Sequence, residues 1–520
     1  MRNKKKVRFV LLALVFVVLI VGLSACDALR SAGKDSPSVI IILTDDLDSK
    51  LMPFMESTNS LIGELGATFT NYFVTTAVCC PSRASMIRGQ YSHNTQILDN
   101  TPGFPSFYAK GEESETVAVW LNKAGYNTAL IGKYLNYYPI PAGWSYIPPG
   151  WTEWDAILHQ TTDGGFGPYY YNYRLNQNGN PVDYGGSAED YSTDVIKSKS
   201  IDFINQNIED GSPYFLLVAV YAPHGPSDPA PRHADMFADL EYPKGPAFAE
   251  QDLSDKPAVL QELAEDGDVF DISDADDLFR RRVRTVQAVD ELVAEVIQAL
   301  EKSGQLEKTY VIFTSDNGFH MGEHGLPSGK GTPYEEDIRV PFMIRGPGIQ
   351  ANSEVTQMTA NIDLAQTLSD IAGASTADFV DGRSFLPLLQ PVIDPALDWR
   401  KALLIEKGYP ESESSSLQLV SFAPHGAAEY PDSIHDDILR KVGGGTYQGI
   451  RTDTFIYVEY ENGELEYYDL VNDPYQLNNI SSTLDTDILA SLHQWLTQFK
   501  ACTADDCRKF DSALPDNLKN

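Results

Sequence analysis

Four short apolar runs along the chain have the pattern of strands buried on both faces. They lie at 39–43, 128–133, 214–220 and 309–314, and most are rich in β-branched residues. Apolar runs of this length without polar alternation are typical of a parallel sheet covered on both sides. Helical patterns separate them, the clearest at about 280–302, where the apolar residues form one stripe. Strands alternating with helices predict an α/β fold with a mainly parallel sheet flanked by helices.

Each predicted strand carries polar residues at its carboxyl end. These residues are Asp45 and Asp46, Lys133, His224, and Asp316 with Asn317. Singly, such Asp-Asp and Asp-Asn-Gly sequences are usually caps or turns. In open α/β sheets, however, ligands bind at the edge formed by the carboxyl ends of the strands. Four polar strand ends together therefore predict a functional site at that edge.

The remainder of the chain contains an aromatic segment and a C-terminal region of different character. Residues 137–191 are rich in aromatic residues, Gly and Pro, which suits ordinary packing or, less commonly, stacking on sugar rings. From about 395, the pattern changes to alternating strands over 447–470 and a final helix over 486–499. We predict a catalytic domain over 38–394 and a small subdomain, an antiparallel sheet with a helix, over 395–520.

Composition limits the class of partner. The 520 residues carry a formal net charge of -34, with a pI near 4.5. Such acidity argues against binding to nucleic acid or to a bare anionic membrane surface. It serves solubility, and it would repel an anionic substrate at long range. A site for an anion on this chain therefore needs local cations or a metal.

The N-terminus has the pattern of an export signal. A basic stretch over 2–8 precedes an apolar run over 9–23, which is short for a membrane span. The run ends in Leu-Ser-Ala-Cys at Cys26, which resembles a bacterial lipobox; the alternative is an ordinary signal peptide with a chance cysteine. We expect residues 1–25 to be a lipoprotein signal peptide, Cys26 to be lipidated and 26–37 to be a tether. The mature protein would then be membrane-anchored and face the periplasm or cell exterior.

One short motif carries the most specific chemistry. Cys79-Cys80-Pro81-Ser82-Arg83 matches the C-x-P-S-R signature of type I, formylglycine-dependent sulfatases. Further stretches follow in the order of that family, including Gly132-Lys133-Tyr134, Ala222-Pro223-His224, Ser315-Asp316-Asn317-Gly318, Lys330 and Arg339-Val340-Pro341. In their local sequence, these stretches most resemble the branch of N-acetylglucosamine-6-sulfatases and heparan 6-sulfatases. The resemblance implies an alkaline-phosphatase-like fold.

The resemblance also implies a cofactor and a mechanism. In the family, a formylglycine-generating enzyme oxidises the motif cysteine, here Cys79, to formylglycine (3-oxoalanine). One hydroxyl of its hydrate attacks sulfur, and the other releases sulfate from the covalent ester. The expected metal ligands are Asp45, Asp46, Asp316, Asn317 and the modified Cys79. Oxygen ligands select a hard cation, and the family favours Ca²⁺ over Mg²⁺.

The resemblance assigns the cations of the site as well. Arg83, Lys133, His224 and Lys330 are expected to neutralise the sulfate and to stabilise charge in the transition state. His224 or Lys330 is the expected proton donor to the leaving alcohol.

Two positions near these motifs are further candidates for substrate contact. Many arylsulfatases carry a histidine two residues after the Gly-Lys lysine, but this chain has Leu135 there. His93 and His320 could supply the missing contact. Cys502 and Cys507 could close a small disulfide loop in an oxidising compartment, as in the resembled branch.

The expected activity is hydrolysis of a sulfate ester on a sulfated carbohydrate, of the N-acetylglucosamine-6-sulfate type. Three alternatives remain open at this point. They are an arylsulfatase of broad specificity, a formylglycine phosphodiesterase or phosphonate monoester hydrolase, and an inactive lipid-anchored glycan-binding protein.

Overall fold

The computed structural model of the chain describes residues 36–160, 169–265, 272–408 and 445–518. The predicted signal peptide, Cys26 and the tether up to residue 35 lie outside these ranges. Within them, no helix combines the length and the apolar character needed to cross a bilayer.

Sixteen strands are present in the described residues. In chain order they are β1 (Ser38–Asp45), β2 (Ala67–Phe69), β3 (Tyr72–Phe73), β4 (Asn127–Gly132), β5 (Glu153–Ile157), β6 (Arg174–Gln177), β7 (Asn180–Asp183), β8 (Tyr214–Pro223), β9 (Thr309–Ser315), β10 (Phe342–Arg345), β11 (Ser353–Val355), β12 (Thr359–Ala360), β13 (Ala402–Lys407), β14 (Tyr447–Thr452), β15 (Phe455–Tyr460) and β16 (Leu465–Asp469).

The central sheet has ten strands in the order β11-β2-β10-β9-β1-β8-β4-β5-β6-β7. Its middle five strands, β9-β1-β8-β4-β5, are parallel. β10 pairs antiparallel with its neighbours, as do β6 and β7 at the other end. The predicted mainly parallel sheet is thereby confirmed, and all four predicted strands lie among the parallel five.

Helices cover both faces of this sheet. The α-helices of the described residues are α1 (Glu56–Thr58), α2 (Cys79–Arg88), α3 (Ser92–Thr95), α4 (Phe104–Ala109), α5 (Val117–Lys123), α6 (Ser192–Asp210), α7 (Ala258–Glu265), α8 (Ile272–Lys302), α9 (Glu335–Ile338), α10 (Asp363–Ala372), α11 (Thr486–Phe499) and α12 (Asp505–Ser512). Of these, α11 and α12 lie against the C-terminal strands β14 and β13. The sheet separates two hydrophobic cores, and alternate residues of β1 point into each. Ile41 lies in the first core and Ile42 in the second. The apolar stripe of α8, including Val289 and Leu292, fills the second core and is fully buried, as predicted.

The small C-terminal sheet is also present, in the order β13-β14-β15-β16 and antiparallel throughout. Together with α11 it packs into the first core of the large sheet. The boundary at 395 stays a prediction; the first strand of the small sheet begins at Ala402. In the aromatic segment, the side chains of Trp154, Tyr170 and Tyr173 are fully buried, so they pack in the protein interior.

Candidate active site

Two neighbouring parallel strands, β1 and β9, bring the predicted acidic metal ligands together. Asp45 ends β1, and Asp46 follows it with a φ of 67°, in the left-handed region. Asp316 and Asn317 directly follow β9. The Asp46 N–H donates to Asp316 Oδ1 over 3.2 Å, and Asn317 Nδ2 donates to Asp46 Oδ1 over 2.7 Å. The pairing of the two strands thus fixes both acidic turns against each other.

Cys79 begins α2 and lies beside these carboxylates. Its Sγ is 3.2 Å from Asp45 Oδ1 and 3.8 Å from Asp46 Oδ1. Burial and the charge of Asp45 raise the pKa of the Cys79 thiol well above its usual range, against the opposing charges of Lys133 and Lys330. A thiol held neutral in this way is a poor nucleophile.

The acidic group has the ligand chemistry of a hard divalent cation. Asp45, Asp46, Cys79 and Asp316 each offer one ligand atom, and these atoms lie within 4.8 Å of one another. Asp46 Oδ2 and Asn317 Oδ1 are buried and have no hydrogen-bond partner among the described residues. Carboxylate and amide oxygens are the ligands that Ca²⁺ and Mg²⁺ prefer. The residues present therefore fit the expected metal.

Arg83 and Lys133 bind the acidic group directly. The Arg83 Nε donates to Asp316 Oδ2 over 2.6 Å, and its Nη1 donates to the Lys133 carbonyl over 2.8 Å. The Lys133 Nζ donates to Asp45. Burial opposes a charge on Asp45, but Lys133, His224 and Arg83 outweigh burial and hold the pKa of that carboxyl below its usual range. Asp45 is therefore ionised and available as a ligand.

Lys133 reaches the site because Gly132 precedes it. Gly132 has a φ of +119°, and a Cβ at this position would lie 1.9 Å from the carbonyl oxygen of Ala219 in β8. The Lys133 N–H donates to the same carbonyl over 2.8 Å. Only glycine allows this approach.

Lys330 and His224 complete the cluster. The Lys330 Nζ lies 2.8 Å from Cys79 Sγ and donates to Asp46 Oδ1 over 2.5 Å. His224 follows β8 and places Nε2 3.7 Å from Asp46 Oδ2. Its Nδ1 is 2.9 Å from the Gly225 carbonyl oxygen. All the residues predicted to be catalytic or metal-binding thus lie in one buried cluster.

His93 departs from the expectation of substrate contact. Its Nδ1 lies 3.1 Å from both carboxylate oxygens of Glu406, and its Nε2 lies 2.9 Å from the Cys502 carbonyl oxygen. Because protein atoms engage both ring nitrogens, neither is offered to a substrate. His93 instead joins α3 to the C-terminal subdomain.

His320 also has a protein partner where a substrate contact was expected. It is 1% exposed, and its Nδ1 lies 2.9 Å from Asp337 Oδ1. Its backbone pairs with Gly329 in both directions, at 2.9 and 3.0 Å. This places His320 beside the segment that carries Lys330, in a supporting position.

Two residues near the cluster were missed from the sequence. His159 follows β5, its ring centre lies 4.4 Å from that of Tyr137 with the two planes inclined at 50°, and its pKa is lowered to about 4 by burial and the charge of Lys133. Arg282 of α8 donates from Nη2 to the Asp46 carbonyl over 2.6 Å. A polar residue at a strand end was the available signal for His159. Arg282 gave none, because it lies in the helix beside the apolar stripe.

The two C-terminal cysteines form a disulfide between Cys502 and Cys507. The Cys502 carbonyl accepts from Asn94 Nδ2 over 3.0 Å as well as contacting His93. The Ala504 N–H donates to Asp381 Oδ1 over 2.6 Å. The disulfide loop is therefore docked against α3 and Asp381.

Comparison with known proteins gives consistent matches. The Sulfatase family profile matches residues 37–374. An N-acetylglucosamine-6-sulfatase from Capra hircus is 34% identical over 501 residues, covering 93% of this chain and 87% of that protein. An extracellular sulfatase SULF-1 homologue from Drosophila melanogaster is 38% identical over 384 residues, covering 72% of this chain and 33% of that protein.

Among solved structures, one similar chain is in complex with its substrate, D-glucosamine-2-N,6-O-disulfate. It aligns with a TM-score of 0.69 and 24% identity, covering 93% of this chain and all of that chain. At this identity the likeness supports the fold.

Proposed function

This chain belongs to the sulfatase family, in the branch of the N-acetylglucosamine-6-sulfatases, and is a sulfuric ester hydrolase; we propose that it removes the 6-O-sulfate from N-acetylglucosamine-6-sulfate in a glycan. The observation that carries this proposal is the position of Cys79. It lies between carboxylates and Lys330 at the start of α2. The sugar is inferred from the relatives that carry this activity in their names.

The nucleophile in this proposal is formylglycine made from Cys79. The hydrated aldehyde supplies a hydroxyl nucleophile and a second hydroxyl for release of sulfate. The C-x-P-x-R motif around Cys79 supports a modified residue at this position. Because Cys79 is fully buried, we expect the modifying enzyme to act before the chain folds.

The metal in this proposal is Ca²⁺, held by Asp45, Asp46, Asp316, Asn317 and the modified residue 79. When bound, it supplies positive charge that acidifies a hydroxyl and polarises a sulfate oxygen. Three carboxylates around a single divalent ion leave the group with excess negative charge. Arg83, through its bond to Asp316, and Lys133, through its bond to Asp45, offset that excess.

The remaining roles fall to the cations. Arg83, Lys133 and Lys330 bind the sulfate oxygens and stabilise the charge that develops on them. His224 or Lys330 donates a proton to the leaving sugar oxygen. Together with a divalent metal, these cations would outweigh the three carboxylates and allow a chain of net charge -34 to hold an anion at this position.

We further propose that the protein is exported and anchored by lipid at Cys26. The basic and apolar N-terminal stretches and the Leu-Ser-Ala-Cys sequence support the anchor. The Cys502–Cys507 disulfide and the similarity to an extracellular sulfatase support export.

The test is a desulfation screen on defined glycosaminoglycan fragments, using protein co-expressed with a formylglycine-generating enzyme. We expect release of sulfate from fragments carrying a 6-sulfated glucosamine and none from Cys79→Ala. Cys80→Ala is the matched control, because Cys80 is equally buried and occupies the variable position of the motif. It should retain modification and activity.

Two results would overturn the proposal. Faster turnover of phosphodiesters or phosphonate monoesters than of sulfate esters would assign the chain to that chemistry. Peptide mass spectrometry showing unmodified Cys79 in protein from the native host would favour a glycan-binding protein.

A further inference from the structure

We propose that Asp337 is a positioning residue that holds Lys330 against residue 79 by fixing the chain on both sides of that lysine. The inference depends on the proposed function only in treating Lys330 as a cation of the active site. Asp337 lies in α9, is fully buried, and touches neither Cys79 nor Lys330 through a hydrogen bond between described atoms.

The segment around Lys330 has two anchor points. On the N-terminal side, Gly329 exchanges two backbone hydrogen bonds with His320. On the C-terminal side, Thr332 is held through its N–H and its hydroxyl. Lys330 lies between these points, with Gly331 next to it at a φ of +95°. The path of the backbone between these two anchor points determines the position of the Lys330 ammonium group.

Both anchors end on the same carboxylate. Asp337 Oδ1 lies 2.9 Å from His320 Nδ1. Asp337 Oδ2 accepts from the Thr332 N–H over 2.8 Å and from its Oγ1 over 2.6 Å. One carboxylate thereby sets the spacing between the strand-like pair at His320 and the turn at Thr332.

The helix that carries Asp337 also fixes the metal-ligand loop. The Gly318 N–H donates to the Asp337 carbonyl over 2.8 Å, and the Phe319 N–H donates to the Glu336 carbonyl over 3.0 Å. A Cβ on Gly318 would lie 2.0 Å from the Glu336 oxygen, so the two segments are in close contact. Asp337 therefore connects Lys330 to the Asp316-Asn317 turn by a short path.

A buried carboxylate elsewhere in the fold offers a matched control. Asp290 of α8 accepts from the Thr58 N–H and Oγ1, both at 2.7 Å, and from the Ser57 N–H at 2.8 Å. It thus makes the same bonds to a threonine that Asp337 makes, at a position that holds no residue of the cluster. The variant Asp290→Asn therefore measures how much the loss of such a buried carboxylate destabilises the fold, without a change at the active-site cluster.

The experiment compares Asp337→Asn and Asp290→Asn on a small aryl sulfate, which makes no demand on sugar recognition. For Asp337→Asn we expect kcat to fall by about 10- to 100-fold with KM within about twofold, because a displacement of about 1 Å has this effect. Asp290→Asn should keep kcat per folded molecule within about twofold. Equal losses in the two variants would overturn the inference. Thr332→Val, which leaves the carboxylate in place, should lower kcat in the same direction if Asp337→Asn does not fold.

A double-mutant cycle distinguishes positioning from general structural support. If Asp337 acts through Lys330, Asp337→Asn in a Lys330→Ala background should lower kcat by no more than about twofold. If the fold-reductions in kcat of the two single variants instead multiplied in the double variant, the inference would be overturned.

A crystal structure of Asp337→Asn decides the matter without activity. We expect the Lys330 Nζ to have left hydrogen-bonding distance of residue 79. An unmoved Nζ would refute positioning even in an active enzyme. A wild-type protein that turns over no sulfate ester would instead count against the proposed function, and this structure would still test Asp337.

Discussion

The Lys330 Nζ lies 2.8 Å from the Cys79 Sγ and 2.5 Å from Asp46 Oδ1. One ammonium group therefore contacts both the residue expected to carry the nucleophile and a carboxylate expected to bind the metal. Lys330 is about 250 residues from Cys79 along the chain. Its place in the cluster depends on the loop between β9 and α9.

The first prediction concerns that ammonium group. Lys330→Ala should lower kcat for an aryl sulfate by about 100- to 1,000-fold, because a fixed charge beside the reacting atoms is lost. Lys256→Ala is the control: Lys256 is equally buried, and its Nζ donates to the carbonyls of Gln476 and Leu477, outside the cluster. It should reduce thermal stability and leave kcat per folded molecule unchanged. Similar kcat values for both variants would show that Lys330 has no catalytic part.

The second prediction concerns the metal. Treatment with a chelator should abolish activity, and Ca²⁺ should restore it more fully than Mg²⁺. Because the ion binds the folded state, added Ca²⁺ should raise the melting temperature of stripped wild-type protein. Asp316→Asn should remove most of this shift, whereas Asp290→Asn should keep it. If added Ca²⁺ did not change the melting temperature of the stripped wild-type protein, the assignment of these ligands would be contradicted.

The third prediction concerns the approach of β4 to β8. Gly132→Ala should destabilise the protein by about 2–4 kcal/mol, since its Cβ would lie 1.9 Å from the Ala219 oxygen and its φ is +119°. Gly143→Ala separates the two causes, because Gly143 has a φ of +98° with no atom within 4 Å of the added Cβ. It should cost only about 1 kcal/mol. Equal losses in denaturant melts would show that conformation alone, and not the close contact, requires glycine at 132.

The sequence predicted the parts of the site that local pattern controls. The apolar runs of β1 and β9 and their acidic ends are local features, and parallel pairing then brings Asp45 and Asp316 together. The motif predicted Cys79 and Arg83, because a modifying enzyme must read a contiguous stretch of chain.

The parts that depend on distant partners could not be predicted in this way. His93 is bonded to Glu406 and Cys502, which are 313 and 409 residues away. Nothing in the local sequence of His93 distinguishes hydrogen bonds to distant parts of the chain from a contact with substrate. Asp337 is a similar case: its two partners flank Lys330 only after the loop has folded back on α9.

The fourth prediction follows from that tie between His93 and Glu406. Burial favours the neutral ring, but the charge and hydrogen bond of Glu406 outweigh burial and raise the pKa of His93 to about 9. In an unfolded chain the pKa is about 6.5. The folded state thus binds the proton more tightly, and the resulting stabilisation is complete below about pH 6.5 and is lost as pH rises through about 9.

His93→Gln isolates this contribution. Wild-type protein should lose on the order of 1–3 kcal/mol more stability than the variant between pH 6 and pH 10, measured by chemical denaturation at each pH. His493→Gln is the control, because His493 also lies 2.8 Å from a carboxylate, Glu459, but is 64% exposed, so water screens the pair. Its pH dependence should follow that of the wild type. If His93→Gln did so too, the charged pair would make no net contribution, and the docking of the C-terminal subdomain would depend on the remaining bonds to Asp381 and Cys502.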